Sequence, residues 1–183
     1  MELVETLPAR WYNDPGIWDR ERWPIFGCNW VHVAYDHEVR NSGDYVTENL
    51  AGWPMFIRRN DDGTLAAFLN LCPHRAGPLV FEGSGCTKNL VCKYHGWAFD
   101  QEGALLSARD YGADAPPDMD LRKVQVASWR GLIFVCLDPA APALEEWLGA
   151  FPAELADIPL ESYRFHSRSV RRVARSEEHT SEL

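Results

Sequence analysis

Through most of its length, the chain alternates short apolar runs with clusters of turn-forming residues. Each run spans only a few positions and is rich in β-branched and aromatic residues, which is typical of strands. Residues 60–63 have the sequence Asn-Asp-Asp-Gly, a strong hairpin signal between two such runs. The predicted strands cover residues 45–47, 55–57, 65–71, 90–91, 97–99, 104–106, 124–126 and 132–137. This pattern predicts a mainly β fold, with the short antiparallel strands of a small sandwich or barrel.

Helical and mixed segments flank this β region. Asp14 is a candidate N-cap, Pro15 suits the first helical position, and Pro24 should limit the helix that follows. The other elements predicted outside the β region are a first strand over 28–34, a short helix over 144–148, an apolar turn near Leu155 and a strand over 163–173.

Composition and charge exclude several classes of protein. Hydrophobic residues make up 46% of the 183 positions and charged residues 25%, an ordinary globular balance. The net charge of -9 argues against a nucleic-acid partner, since phosphate binding needs clustered Lys and Arg. No apolar run is long enough to span a membrane, and the acidic residues 1–5 do not resemble a secretory signal. We therefore expect a cytoplasmic protein that binds neither nucleic acid nor membrane.

Two short boxes carry the candidate chemistry. They are Cys72-Pro73-His74-Arg75-Ala76-Gly77 and Cys92-Lys93-Tyr94-His95-Gly96-Trp97. Each box supplies one thiolate and one imidazole, which matches a Rieske-type [2Fe–2S] centre, where two Cys bind one iron and two His bind the other. We therefore predict that the cluster ligands are Cys72, His74, Cys92 and His95.

The residues around these ligands also suit a cluster. Gly77 and Gly96 allow the backbone to approach closely and to take positive φ values. Close N–H groups would tune the potential, and Trp97 would shield the centre from water. Arg75 and Tyr94 complete the predicted surroundings.

A structural zinc site is the alternative interpretation of the same four residues, because Cys2His2 sets also bind zinc. Zinc sites usually open with a pair of Cys and place the His pair together, whereas Cys and His alternate here. Other candidate ligands are weaker. Cys28, Cys86 and Cys136 are expected to be buried or loop thiols, and His32 and His37 ordinary strand and surface residues.

At the two boxes the sequence resembles Rieske-type non-haem iron oxygenases, in particular the Rieske domain of their large (alpha, terminal oxygenase) subunit. The likeness runs from about Trp11 to Leu160. It is greatest for the branch of ring-hydroxylating dioxygenases and of choline, betaine and carnitine oxygenases. Many members have Arg followed directly by Gly in the first box, whereas Ala76 stands between Arg75 and Gly77 here.

This resemblance implies an electron-transfer domain of an enzyme that uses O2. Such an enzyme hydroxylates an aromatic ring or oxidises a C–H bond next to a quaternary amine. It takes electrons from a reductase or ferredoxin and assembles into a ring-shaped homo-oligomer, typically a trimer. Its mononuclear Fe(II) is held by two His and a carboxylate in a C-terminal domain, so this chain alone should not oxygenate a substrate. A stand-alone Rieske ferredoxin is the alternative, but such a carrier needs neither the helical arm nor the segment beyond residue 140.

The resemblance also divides the chain. We expect a helical arm and first strand over 1–40, a Rieske domain over 41–140, and a linker helix with the truncated start of an α+β catalytic domain over 141–174. Residues 175–183 resemble the translation of a sequencing adapter, so we expect them to be a non-native tail.

Overall fold

The computed structural model describes residues 6–109 and 118–163, and within them the fold is mainly β, as predicted. Seven strands form one antiparallel sheet in the order β1-β10-β9-β4-β3-β2-β5, and three form a smaller sheet in the order β6-β7-β8. The strands are β1 Val31–Tyr35, β2 Asp44–Leu50, β3 Trp53–Arg59, β4 Leu65–Leu69, β5 Ser84–Cys86, β6 Leu90–Val91, β7 Ala98–Phe99, β8 Leu105–Ser107, β9 Lys123–Trp129 and β10 Leu132–Cys136.

The predicted apolar runs fall on these strands, with ends that differ by up to three residues. The short edge strand β5 was not predicted, because Ser-Gly-Cys has none of the branched or aromatic residues that indicate a strand. The strand predicted over 28–34 begins later, at Val31, since a helical turn runs to Gly27 and residues 28–30 are irregular. The strand predicted over 163–173 lies almost entirely outside the described residues.

The N-terminal helix α1, Pro15–Glu21, starts as predicted. Asp14 Oδ1 accepts a hydrogen bond of 2.8 Å from the Gly16 N–H. Pro24 does not end the helical path, however, because a π-helical turn continues over Arg22–Gly27. The Cys28 N–H closes this turn by donating to the Trp23 carbonyl at 2.9 Å, a bond in which Pro24 takes no part.

After β10 the chain forms two short helices, α2 Leu144–Leu148 and α3 Phe151–Glu154. The first matches the predicted bounds, and both of its terminal leucines are buried against Trp30 and the end of β10. The Trp30 indole N–H also donates to the Pro142 carbonyl at 2.8 Å. No helix in the described parts of the chain is both long and apolar enough to cross a lipid bilayer.

The larger sheet is buried on both faces, and β3 shows how its side chains divide. Met55 and Ile57 join one core group, together with side chains of β1, β2 and β10. Phe56 points to the other face and packs against Phe68, which is directly opposite on β4. The core on this second face also contains Leu90, Phe99, Trp97 and the two box cysteines. The two boxes therefore lie between the larger and the smaller sheet.

Candidate metal centre

The two boxes have the same backbone hydrogen bonds. In the first, the Cys72 N–H donates to the Gly77 carbonyl and the Ala76 N–H to the Cys72 carbonyl, both at 2.8 Å. In the second, the Cys92 N–H donates to the Trp97 carbonyl at 2.8 Å and the Gly96 N–H to the Cys92 carbonyl at 2.9 Å. Each box follows a strand, β4 or β6. The fold thus presents the two cysteines from matching turns.

Each turn needs a left-handed residue at its fourth position after the cysteine. Gly96 fills it in the second box, with a φ of 74°. In the first box this conformation falls on Ala76, with a φ of 55°, and not on Gly77 as predicted. Gly77 instead allows the two boxes to approach each other closely. A Cβ there would lie 3.1 Å from both Cys92 Sγ and Tyr94 Cβ, so the second box occupies the space that a side chain would need.

The side chains separate into buried thiols and more exposed imidazoles. Cys72 and Cys92 are 3% and 2% exposed. His74 and His95 are half-buried, with ring centroids 4.5 Å apart and an interplanar angle of 63°. The two thiols are thus buried, and the two imidazoles adjoin each other nearer the surface.

Aromatic rings hold both imidazoles. The fully buried Trp97 stacks on His74 almost in parallel, with centroids 4.8 Å apart. Tyr94 packs on His95 at 3.9 Å but is itself 63% exposed. Trp97 is thus buried beside His74, whereas Tyr94 and Arg75 lie at the surface.

The buried Cys72 thiol favours its neutral form. Burial raises the pKa of Cys72 to about 11, and the adjacent Cys92 thiol acts in the same direction. The backbone N–H groups of His74 and Arg75 oppose this effect but do not cancel it. Thiolates at this place therefore need the positive charge of a bound metal, and metal binding would release their protons.

Two thiols and two imidazoles are the donor set of a Rieske cluster. A structural zinc site needs four donors around one ion. A Rieske cluster shares its four ligands between two irons, so two buried thiols beside two adjoining imidazoles suit it.

One supporting residue was not found from the sequence. Asn70 is buried and braces the first box with its side chain. Its Oδ1 accepts from the N–H groups of Leu79, at 2.8 Å, and of Val80, at 3.2 Å, while its Nδ2 donates to the Val80 carbonyl at 2.9 Å. The available signal was an amide directly after the apolar strand β4, where a buried polar group must have partners.

Within residues 6–109 and 118–163, the other cysteines and histidines have contacts of their own elsewhere. Cys86 lies on the exposed edge strand β5, and its Sγ faces the Ser42 carbonyl at 3.8 Å. Cys136 is buried, and its Sγ faces the Gly27 carbonyl at 3.6 Å. His32 packs edge-on against Phe134, and burial lowers its pKa. His37 stacks on Tyr35 in the turn after β1.

Comparison with known proteins decides the family. A family model described as the Rieske [2Fe-2S] domain matches residues 29–126, more than half of the chain. The chain belongs to the Rieske [2Fe–2S] domain family. The matched stretch contains both boxes.

Relatives of this Rieske chain are components of oxygenases. It is 36% identical over 156 residues to the carnitine monooxygenase oxygenase subunit of Escherichia coli K12, covering 83% of this chain and 41% of that one. It is 38% identical over 156 residues to the toluate 1,2-dioxygenase subunit alpha of Pseudomonas putida, covering 81% and 34%.

A solved structure gives the same result for the fold. The quaternary ammonium Rieske monooxygenase CntA, in complex with its substrate gamma-butyrobetaine, matches with a TM-score of 0.75 and 31% identity. The match covers 82% of this chain and 44% of that one. The Rieske chain described here therefore spans less than half the length of the relatives it matches.

Proposed function

We propose that Cys72, His74, Cys92 and His95 bind a Rieske [2Fe–2S] cluster and that the domain transfers single electrons. The observation that carries this proposal is the pair of matching turns, which brings two buried thiols and two adjoining imidazoles together. The bound cluster supplies reversible one-electron chemistry, at a potential of about -150 to +300 mV for this ligand type.

The chain's own residues have distinct parts in this function. Cys72 and Cys92 would neutralise iron charge in the interior, where water cannot compete. His74 and His95 are half-buried, so they give electrons the shorter path to the surface. Trp97 restricts the ring of His74 by stacking and keeps solvent from the inner side. Gly77, Gly96 and the exposed Arg75 and Tyr94 form the rest of the surroundings.

We further propose that the domain serves an O2-dependent oxygenase. The parent enzyme would hydroxylate an aromatic ring or oxidise a C–H bond beside a quaternary amine. Relatives named for each kind of substrate match at similar identity, so the proposal keeps both. The mononuclear Fe(II) for oxygen chemistry would lie in a part of the enzyme beyond this domain.

The same proposal includes partners and location. A reductase or ferredoxin would deliver electrons, and the parent enzyme would form a ring-shaped homotrimer. The names of the relatives, as subunits of larger enzymes, support assembly with other chains. We infer a cytoplasmic location, which the five free cysteines of the chain support.

The cluster proposal can be tested on the full chain. We expect the protein reconstituted with iron and sulfide to be red-brown, with about two irons per chain and the anisotropic EPR signal of a reduced Rieske centre. Cys92→Ser should abolish the signal, whereas Cys86→Ser, at the exposed cysteine on β5, should retain it. A colourless wild-type protein with stoichiometric zinc would reject the proposal.

The oxygenase proposal needs a separate measurement. A gene that encodes this domain together with a downstream two-His, one-carboxylate motif should yield a protein that consumes O2 with an aromatic acid or a quaternary amine. If the protein accepts electrons but oxidises neither class of substrate, the result would favour a stand-alone electron carrier over an oxygenase component.

A further inference from the structure

A buried positive charge lies on the same side of the large sheet as the two boxes. Arg58 is 1% exposed, and it is the only buried charged side chain among residues 6–109 and 118–163. None of its three guanidinium nitrogens has a hydrogen-bond partner in these described residues. Burying a charge without hydrogen-bond partners destabilises a fold, so the presence of Arg58 requires an explanation.

The strand register gives the side to which Arg58 points. Side chains alternate along β3, so Arg58 shares a face with Phe56. Phe56 belongs to the core group that contains Cys72 and Cys92. Tyr45 on β2 is the direct cross-strand partner of Arg58, and it belongs to the same core group. The guanidinium therefore lies at the margin of the core that holds the candidate cluster ligands.

Nearby carboxylates compensate this charge only in part. Asp61 and Glu102 raise the pKa of Arg58, but burial lowers it by more. Both carboxylates are exposed to water, and Asp61 already accepts hydrogen bonds from Ser42 and Gln101. A guanidinium keeps its proton at neutral pH even so, and the interior therefore retains a net positive charge.

We propose that Arg58 is a redox-tuning residue, whose buried charge raises the reduction potential of the cluster held by the two boxes. This inference rests on the cluster proposal above. Reduction adds one negative charge to a cluster, and a positive charge in the same low-dielectric core stabilises that added charge. Arg58 would act through its field and without contact, so its loss should move the potential and leave the ligands in place.

The neighbouring residue is a matched control. Arg59 has the same charge but points to the opposite face of β3, where it donates to the Val39 carbonyl at 2.9 Å and pairs with Asp36 at 3.2 Å. The charge of Arg59 is thus neutralised by Asp36 and lies on the face of β3 opposite to Arg58. Replacing either arginine with Met changes the net charge of the chain by the same amount.

The test compares Arg58→Met, Arg58→Gln and Arg58→Lys with Arg59→Met and wild type, each as the full chain loaded with iron and sulfide. Reduction potentials are measured by spectroelectrochemical titration, and thermal unfolding is followed in parallel. We expect both neutral variants at Arg58 to shift the potential downward by more than Arg59→Met does. Arg58→Lys should keep the potential nearest to wild type at low pH and lose it as the pH rises, because a buried ammonium gives up its proton more readily than a guanidinium. Both neutral variants should be at least as stable as wild type, because they remove an unpaired buried charge.

The outcomes separate this inference from the cluster proposal. Neutral variants that load with iron but keep the wild-type potential would overturn the role of Arg58. Loss of folding in both neutral variants would overturn it too, because Arg58 would then be a structural residue. A wild-type chain that takes up no cluster would instead reject the proposed function.

Discussion

The two boxes share a backbone but differ in the residues placed on it. Both close the same pair of hydrogen bonds around their cysteine, and both have a left-handed residue at the same position. Yet that residue is Ala76 in the first box and Gly96 in the second. The histidine also shifts, to the second position after Cys72 but the third after Cys92. The hydrogen bonds of the turn therefore fix the position of each cysteine sulfur. The histidine can follow the cysteine by two residues or by three.

The boxes also differ in how the fold supports them. The buried Asn70 bonds across the far end of the first box, whereas Asn89, which precedes the second box, is exposed. The boxes also support each other, because Trp97 of the second box stacks on His74 of the first. The first box thus depends on a polar brace and on its partner, and the two cannot be treated as independent units.

The largest expected effect tests whether the two histidines are equivalent. His74→Cys and His95→Cys each restore a negative thiolate, so each should lower the potential toward the roughly -400 mV of all-cysteine clusters. We expect shifts of roughly hundreds of millivolts in both variants. Potentiometric titration checks this, with iron and sulfide content measured to show that the cluster has assembled. An unchanged or raised potential would contradict assignment of these histidines as ligands.

A smaller effect tests the polar brace of the first box. Asn70→Leu would leave the Leu79 and Val80 N–H groups and the Val80 carbonyl without their partner, at a cost of about 3 kcal/mol. Asn89→Leu is the control and should change the free energy of unfolding by under about 0.5 kcal/mol, as surface substitutions usually do. Urea-induced unfolding of both variants gives the comparison. Equal effects would mean that the contacts of Asn70 do not stabilise the first box.

Local patterns in the sequence were enough to predict the candidate ligands and most strands. The Cys and His spacing is contiguous within each box, and the apolar runs need only their neighbours to indicate β structure. The pairing of His74 with Trp97 was not predictable, because these residues come from different boxes and meet only through the packing of two sheets. The hydrogen bonds of Asn70 could not be predicted for a similar reason, since their partners lie beyond the box.

Two further features depend on tertiary structure. A charged residue at the end of a strand usually indicates an exposed edge, yet Arg58 is buried where β3 lies between neighbours on both sides. Glycine is the usual residue for a left-handed position, which favoured Gly77 over Ala76 in the prediction. The hydrogen bonds of the turn place that conformation on Ala76, and the contact with Cys92 explains Gly77 separately.

The smallest expected effect exchanges the residues at that left-handed position. Ala76→Gly removes backbone strain at an exposed site, so it should raise the free energy of unfolding by up to about 1 kcal/mol. Gly96→Ala should lower it by about 1 kcal/mol. A Cβ at Gly96 would meet nothing closer than Arg109 Cδ at 3.9 Å, so its cost comes from the backbone and not from a clash. Opposite signs in urea unfolding would show that the two turns are equivalent in energy as well as in hydrogen bonding. A loss of stability in Ala76→Gly would instead mean that the flexibility glycine adds to the unfolded chain outweighs the strain that it removes.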